Sequence, residues 1–139
     1  MGKNAPIITV DDDSDDLDLL KEILVELGVK NEIIQYESCV DALEYLTIGC
    51  AETFLIFCDM NLPRMDGMEF KKAIDQNKKL REMSIPFIFY STAANQAVVN
   101  QAYCELNIQG YFIKESSYEA MKVRVKKVVD YWMDAVHPD

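Results

Sequence analysis

The stretch Phe54-Leu-Ile-Phe-Cys-Asp59-Met-Asn-Leu-Pro63-Arg-Met-Asp-Gly67 decides the fold. Five consecutive apolar residues, Phe54 to Cys58, read as a strand buried on both faces. The run stops at an acid, Asp59, and Pro63 and Gly67 follow, so the chain turns instead of extending the strand. A carboxylate at the C-terminal tip of a buried strand lies where open α/β sheets carry their chemistry. The plainer alternative is that Asp59 only starts a turn. The choice between the two depends on whether other segments converge on it.

Upstream, Ile7–Val10 is a short β-branched run that ends in Asp11-Asp12-Asp13-Ser14-Asp15-Asp16, five carboxylates in six residues. Leu17, Leu20, Ile23, Leu24 and Leu27 then recur at helical spacing, and Gly28 suits the position just past a helix end. Acids in a first helical turn gain about 0.3–1 kcal/mol each from the helix dipole. That accounts for Asp15 and Asp16 as capping residues but not for Asp11 and Asp12 at the strand tip. Glu32–Tyr36 reads as a second strand, and Ser38 with Asp41 resembles a capping box opening a helix through Leu46.

Downstream of Gly67 a helix is predicted with Met68, Phe70, Ala73 and Ile74 inward and a lysine-rich outer side. Pro86–Ser91 is a fourth strand stopping at Ser91-Thr92, and a helix spans Ala97–Leu106. Gly110–Ile113 is a fifth strand ending at Lys114. The last helix carries Met121, Val125, Val128, Trp132 and Val136 on one stripe, with Lys122, Arg124, Lys126 and Lys127 largely off it. Five strand–helix repeats with short joints demand a parallel sheet covered on both faces. With no linker or repeat, residues 1–139 are expected to form a single domain without an output domain.

Bulk properties narrow the partners. A net charge of −10 over 139 residues opposes binding to nucleic acid or an anionic membrane, both polyanions. No apolar run approaches the roughly 20 residues of a membrane span, and the N-terminus lacks the apolar stretch of a signal peptide. Pro6 stands where a myristoylation signal after Gly2 wants Ser or Thr. The four cysteines, Cys39, Cys50, Cys58 and Cys104, form no C-x-x-C pair and are read as reduced thiols of a cytoplasmic protein. His137, the single histidine, is two residues from the end and is read as a tail residue, which removes His-based triads and metal sites.

In a parallel sheet the C-terminal tips share one edge, so Asp11, Asp12, Asp59, Ser91 or Thr92, and Lys114 can face one crevice. Two carboxylates about 4 Å apart repel by roughly 4 kcal/mol at an effective dielectric of about 20. Three therefore call for a cation, and an all-oxygen site suits a hard ion, Mg²⁺ above others. A metal, an ammonium, a hydroxyl and a free carboxylate together describe phosphoryl transfer to that carboxylate. Asp59 is the best acceptor, as the single acid at the central tip.

These residues resemble a response-regulator receiver domain of two-component signalling: the acidic pair, Asp59 in Asp-Met-Asn-Leu-Pro-Arg-Met-Asp-Gly, Ser91-Thr92 and Lys114 occur in order along nearly the whole chain. The resemblance implies a flavodoxin-like, three-layer fold with five helices and a five-stranded parallel sheet in the order 2-1-3-4-5. It implies that Asp59 takes a phosphoryl group from a phosphohistidine on a histidine kinase or histidine phosphotransfer protein. Asp12 and Asp59 would bind Mg²⁺ directly, Asp11 through water, and the Asn61 backbone carbonyl would complete the protein ligands. Ser91 would hydrogen-bond the phosphoryl group, Lys114 would pair with it, and Tyr111 would change position. The protein would be a phosphorylation-dependent switch and not an enzyme, apart from self-phosphorylation from a phosphodonor and slow self-dephosphorylation. Its output would be a contact with a downstream protein, or a homodimer, through the face of the fourth helix, fifth strand and fifth helix.

Two positions depart from the pattern. Glu115 stands where the family usually has Pro after the lysine. Counting back from Lys114 favours Thr92 as the hydroxyl, whereas Ser-Thr-x-x-Asn favours Ser91, which also ends the apolar strand directly. The closing Tyr131–Pro138 resembles the tail of stand-alone receivers, chemotaxis-regulator-like or serving phytochrome-type kinases. Two rivals remain. Asp11, Asp13, Asp15 and Glu22 fall at positions 1, 3, 5 and 12 of a calcium-binding EF-hand loop, although Asp16 replaces its glycine. An aspartyl-phosphate phosphohydrolase also uses a strand-tip Asp, but wants a second Asp where Asn61 stands.

Overall fold

Four buried residues in each of two inner strands, and five in a third, leave no strand face for water, so helices must cover both sides. In a computed structural model that describes residues 2–49, 52–92, 95–106 and 108–138, they do. After a 3₁₀ turn at Gly2–Asn4, the order is β1 (Ile7–Val10), α1 (Ser14–Glu26), β2 (Ile33–Tyr36), α2 (Cys39–Gly49), β3 (Leu55–Cys58) and α3 (Gly67–Gln76). Then come α4 (Lys78–Met83), β4 (Phe87–Ser91), α5 (Gln96–Glu105), β5 (Gly110–Ile113) and α6 (Tyr118–Asp134). The strands form one sheet in the order β2-β1-β3-β4-β5, with every pairing parallel. This is the predicted flavodoxin-like architecture and strand order.

Alternation along the strands splits the core in two. Ile8, Val10, Ile56, Cys58, Phe87 and Phe89 face one side and pack with Ala42 and Leu46 of α2, Phe70 and Ile74 of α3, and Ala102 of α5. Ile7, Leu55, Phe57, Ile88 and Tyr90 face the other and pack with Leu20, Ile23 and Leu24 of α1 and Met121, Val125 and Val128 of α6. Every residue of β1, β3 and β4 is buried, whereas the edge strand β2 is half-buried. The tips of β1, β3 and β4 thus project from a rigid, dry slab.

The helical layer differs from expectation in four places. The predicted single helix after Gly67 is two, giving six α-helices among the described residues, five of them long. Asn77 takes an extended conformation between them, and its side chain accepts the Leu80 N–H at 3.1 Å, an N-cap that starts α4 afresh. Lys71, assigned to the outer side, is buried: its ammonium pairs with Asp75 at 2.9 Å and lies 5.6 Å from the Phe87 ring centroid. At α2, the Ser38 hydroxyl accepts the amide of Val40 and not that of Asp41. A complete capping box instead opens α3, where Asp66 and Glu69 exchange side-chain and backbone bonds.

The fourth difference is at the C-terminus. Val136 lies beyond α6 and is 92% exposed, whereas His137 is 8% exposed. Its Nε2 lies 2.8 Å from the Phe54 carbonyl oxygen, a geometry in which the ring N–H donates, and its ring packs on Phe54 and Trp132. A Cβ on Gly2 would lie 2.3 Å from this ring, so the N-terminal turn closes over it. Lys3 adds a bond from its ammonium to the Met133 carbonyl. His137 is therefore a clasp joining both termini to the start of β3, not a loose tail residue. Cys50 lies outside the described residues; Cys39 and Cys58 are buried free thiols and Cys104 is exposed. Burial, the neighbouring Cys39 thiol and nearby carboxylates push the Cys58 thiol well above its ordinary pKa, so it behaves as the small hydrophobe expected. Among the described residues no helix is long and apolar enough to cross a membrane.

Replacing the clasp should destabilise the fold without touching the acidic edge. His137→Ala is expected to lower unfolding free energy by about 1–3 kcal/mol, from lost packing and an orphaned carbonyl. The shift in urea midpoint, at unchanged slope, is the measurement.

Candidate functional site

The parallel register places four strand tips side by side. Asp59 follows β3 and donates its backbone N–H to the Val10 carbonyl at 2.9 Å, which locks it beside Asp11. Lys114 follows β5 and donates its backbone N–H to the Ser91 carbonyl at 2.9 Å. Residues 49 and 23 positions apart in sequence are thereby joined by main-chain bonds, with no side-chain choice involved.

Asp11, Asp12 and Asp59 each bring a carboxylate oxygen within 4.8 Å of the others. Asp11 and Asp59 are buried and Asp12 is exposed. Into this cluster reaches the Lys114 ammonium, 2.5 Å from Asp11 Oδ2, 2.8 Å from Asp16 Oδ2 and 3.2 Å from Asp59 Oδ2. Burial opposes the charge on Lys114, but its bonds to Asp11 and Asp16 and the charges of Asp11 and Asp59 outweigh that, holding it above the ordinary lysine range. Burial also dominates at Asp11, whose carboxyl is pushed up to about 6 despite the Lys114 and Asp13 bonds that favour its ionised form. The charge of Asp59 adds to that rise.

Asp16 belongs to this site and was assigned only a capping role from sequence. The N-cap of α1 is Asp13, whose side chain accepts the amides of Asp15 and Asp16, and this points the first turn at the sheet edge. Asp16 is then free to face Lys114. The signal in the sequence was spacing alone: an acid one helical turn past the cap lies over the strand tip. This geometry also removes the EF-hand reading, because residues 14–22 are helical where a calcium loop must wrap around its ion.

The remaining sequence-predicted residues surround this centre. Ser91 is fully buried and Thr92 is exposed. A side-chain hydrogen bond joins Ser91 to the Tyr111 phenol, which burial holds above its ordinary pKa and whose ring packs 5.6 Å from Phe89. Asn61 is exposed, and its amide lies 3.4 Å from Asp59 Oδ1. Its loop is strained: Arg64 has φ +66° in a three-residue turn closed by the Met65 N–H to Pro63 carbonyl bond. The loop returns at Gly67, where a Cβ would lie 2.6 Å from the Asp59 carbonyl, so only glycine lets α3 begin so near Asp59. Ala93 lies outside the described residues.

Glu115, the departure after Lys114, forms its own anchor. Its Oε1 accepts from Arg124 Nε at 3.0 Å and Nη2 at 2.6 Å, and its backbone N–H meets Met121 Sδ. Among the described residues no peptide bond is cis. An ion pair to α6 thus holds the loop where the family pattern has proline.

Carboxylate oxygens without thiolate or imidazole suit a hard divalent ion. Asp11, Asp12 and Asp59 fit Mg²⁺ by donor type and mutual distance, and the ion's charge would relieve their repulsion, roughly 3–4 kcal/mol per pair at an effective dielectric of about 20. Proton and metal compete for Asp11. Because its folded-state pKa exceeds the ordinary 3.8, the folded protein takes up a proton as pH falls through about 6. Its ionisation therefore costs stability above about 6, a cost relieved as pH falls toward 3.8. Mg²⁺ affinity is expected to fall about tenfold between pH 7.5 and pH 5. Calorimetric titration at constant ionic strength checks this; a pH-independent affinity would contradict it.

The comparisons with known proteins agree with this geometry. The profile of the response regulator receiver domain matches residues 7–126. Response regulator Rcp1 of Synechocystis sp. is 27% identical over 135 residues, covering 94% of this chain and 90% of Rcp1. The structure of the phosphorylated cyanobacterial phytochrome response regulator RcpA superposes with a TM-score of 0.86 at 26% identity, covering 96% of this chain and 98% of that one. The Mn²⁺-bound form of Rcp1 gives a TM-score of 0.80 at 29% identity, covering 94% and 96%. With this profile spanning most of its length, and with the acids, hydroxyl and lysine of the pattern gathered at one sheet edge, the chain belongs to the response regulator receiver domain family of two-component signalling.

Proposed function

We propose that the protein is a phosphoacceptor switch in which Asp59 receives a phosphoryl group from a phosphohistidine on a histidine kinase or histidine phosphotransfer protein. The observation that carries this reading is the buried Asp59 carboxylate, 3.2 Å from the Lys114 ammonium and within 4.8 Å of carboxylate oxygens of Asp11 and Asp12. An oxygen of Asp59 attacks phosphorus, the N–P bond of the partner breaks, and its imidazole nitrogen leaves with the electron pair. Mg²⁺, which Asp12, Asp59 and the Asn61 carbonyl would hold directly and Asp11 through water, would supply charge neutralisation for the transferring group. The metal-bound forms of relatives, Mn²⁺ in Rcp1 among them, support this part.

The chain's own residues then respond to the new charge, about −1.5 to −2. Lys114 turns to a phosphoryl oxygen, and the Ser91 hydroxyl leaves the Tyr111 phenol for another. Ser91 is preferred over Thr92 because it is buried at the strand end and already bonded to Tyr111. Tyr111, released, shifts the balance between two arrangements of the α5–β5–α6 face. That face is the proposed output surface toward a downstream protein or a second copy. It exposes Tyr103 on α5 and Val123 and Tyr131 on α6. We further propose that the receiver works in the cytoplasm and catalyses only its own phosphorylation and slow dephosphorylation.

Incubation with Mg²⁺ and acetyl phosphate is expected to add one phosphoryl group, read by intact mass, and Asp59→Asn is expected to add none. Equal labelling of that variant would overturn the assignment. Scattering with and without a phosphoryl analogue tests the dimer; a monomer in both states counts against it.

A further inference from the structure

An ammonium has three N–H donors. At Lys114 all three have carboxylate partners: Asp11 at 2.5 Å, Asp16 at 2.8 Å and Asp59 at 3.2 Å. Lys114 therefore has nothing to offer an incoming phosphoryl oxygen until one partner is given up. The three partners are not equivalent. Asp11 and Asp59 belong to the cluster of three whose oxygens lie mutually within 4.8 Å, and a divalent ion there claims their lone pairs. Asp16 lies outside that cluster and has no competing cation among the described residues. It is also the partner that α1 contributes, 98 positions from Lys114, so its place is set by the Asp13 cap and not by the loop that carries the lysine.

We propose that Asp16 is a positioning residue that holds Lys114 in the unphosphorylated state and competes with the phosphoryl group for its ammonium. The proposal rests on Asp59 being the acceptor. In the resting protein the ammonium is shared. When Asp11 and Asp59 turn to the divalent ion, Lys114 stays on Asp16. When Asp59 carries the phosphoryl group, Lys114 must leave Asp16 to reach it. Asp16 thus sets how readily the lysine engages, and its carboxylate opposes the switched state by direct competition, not only by its charge. The Lys114 side chain is 8% exposed and that of Asp16 35%, so solvent screens the pair in part.

Beryllofluoride, which binds carboxylates as a phosphoryl analogue, reads this competition without turnover. At saturating Mg²⁺, with the analogue titrated into the millimolar range, Asp16→Asn is expected to tighten its binding about threefold to tenfold, with Asp16→Glu near wild type. Asp15→Asn removes the same charge from the same helical turn without the lysine contact, and is expected to leave binding within about twofold. In a Lys114→Met background the effect of Asp16→Asn is expected to vanish. An unchanged affinity for Asp16→Asn, an equal gain from Asp15→Asn, or an equal gain with Lys114→Met would overturn the role of Asp16 while leaving Asp59 as acceptor. Wild-type protein that binds no analogue, with Mg²⁺ bound, would overturn the acceptor reading and this one with it.

Discussion

One lysine held among acids is the constraint on which the site depends. Carboxylates from β1, α1 and β3 converge on an edge where burial and the charge of Asp59 raise the cost of ionising Asp11. The Lys114 ammonium, reaching from β5, is what lets them share that edge. Its own desolvation is outweighed by those same acids, so neither charge is tolerable there alone. Removing either side of the pairing leaves a buried charge without a partner.

The slab beneath fixes the positions of these groups. β1, β3 and β4 are packed on both faces, so the tips cannot relax away from one another when the local charge changes. The response has to pass through side chains and loops at the edge. Ser91 and Tyr111 are already hydrogen-bonded, and Tyr111 stands in β5 directly beside Phe89 of β4. A change at the Ser91 hydroxyl therefore has a short physical route to the outer surface. On the other side, the strained turn at Arg64 and the close approach at Gly67 hold the loop after Asp59 tight against β3.

Where the chain departs from its family pattern, another interaction takes over the mechanical task. Glu115 lacks proline's rigidity, yet its bonds to Arg124 tie the Lys114 loop to α6. That pairing is half-exposed and salt-sensitive, unlike a covalent ring. At the opposite end of the sheet, His137 joins α6, the N-terminal turn and the start of β3, so α6 is held at both ends.

Local pattern was enough for the strands, their order of appearance and the acids at their tips. A buried parallel strand is a continuous apolar run, and its polar terminator is visible in the chain. Asp59, Asp11, Asp12, Ser91 and Lys114 could be read in this way because each stands at the end of such a run. Three features could not. The break at Asn77 depends on a cap bond winning over helix continuity, and the burial of Lys71 and His137 depends on what happens to pack above them. Asp16 is the most instructive. As a sequence it is one more acid in a first turn, where the helix dipole favours any acid. Only the tertiary fold, by crossing α1 over the tip of β5's loop, gives it a lysine partner 98 residues away, because a side-chain ion pair is decided by distance in space and not along the chain.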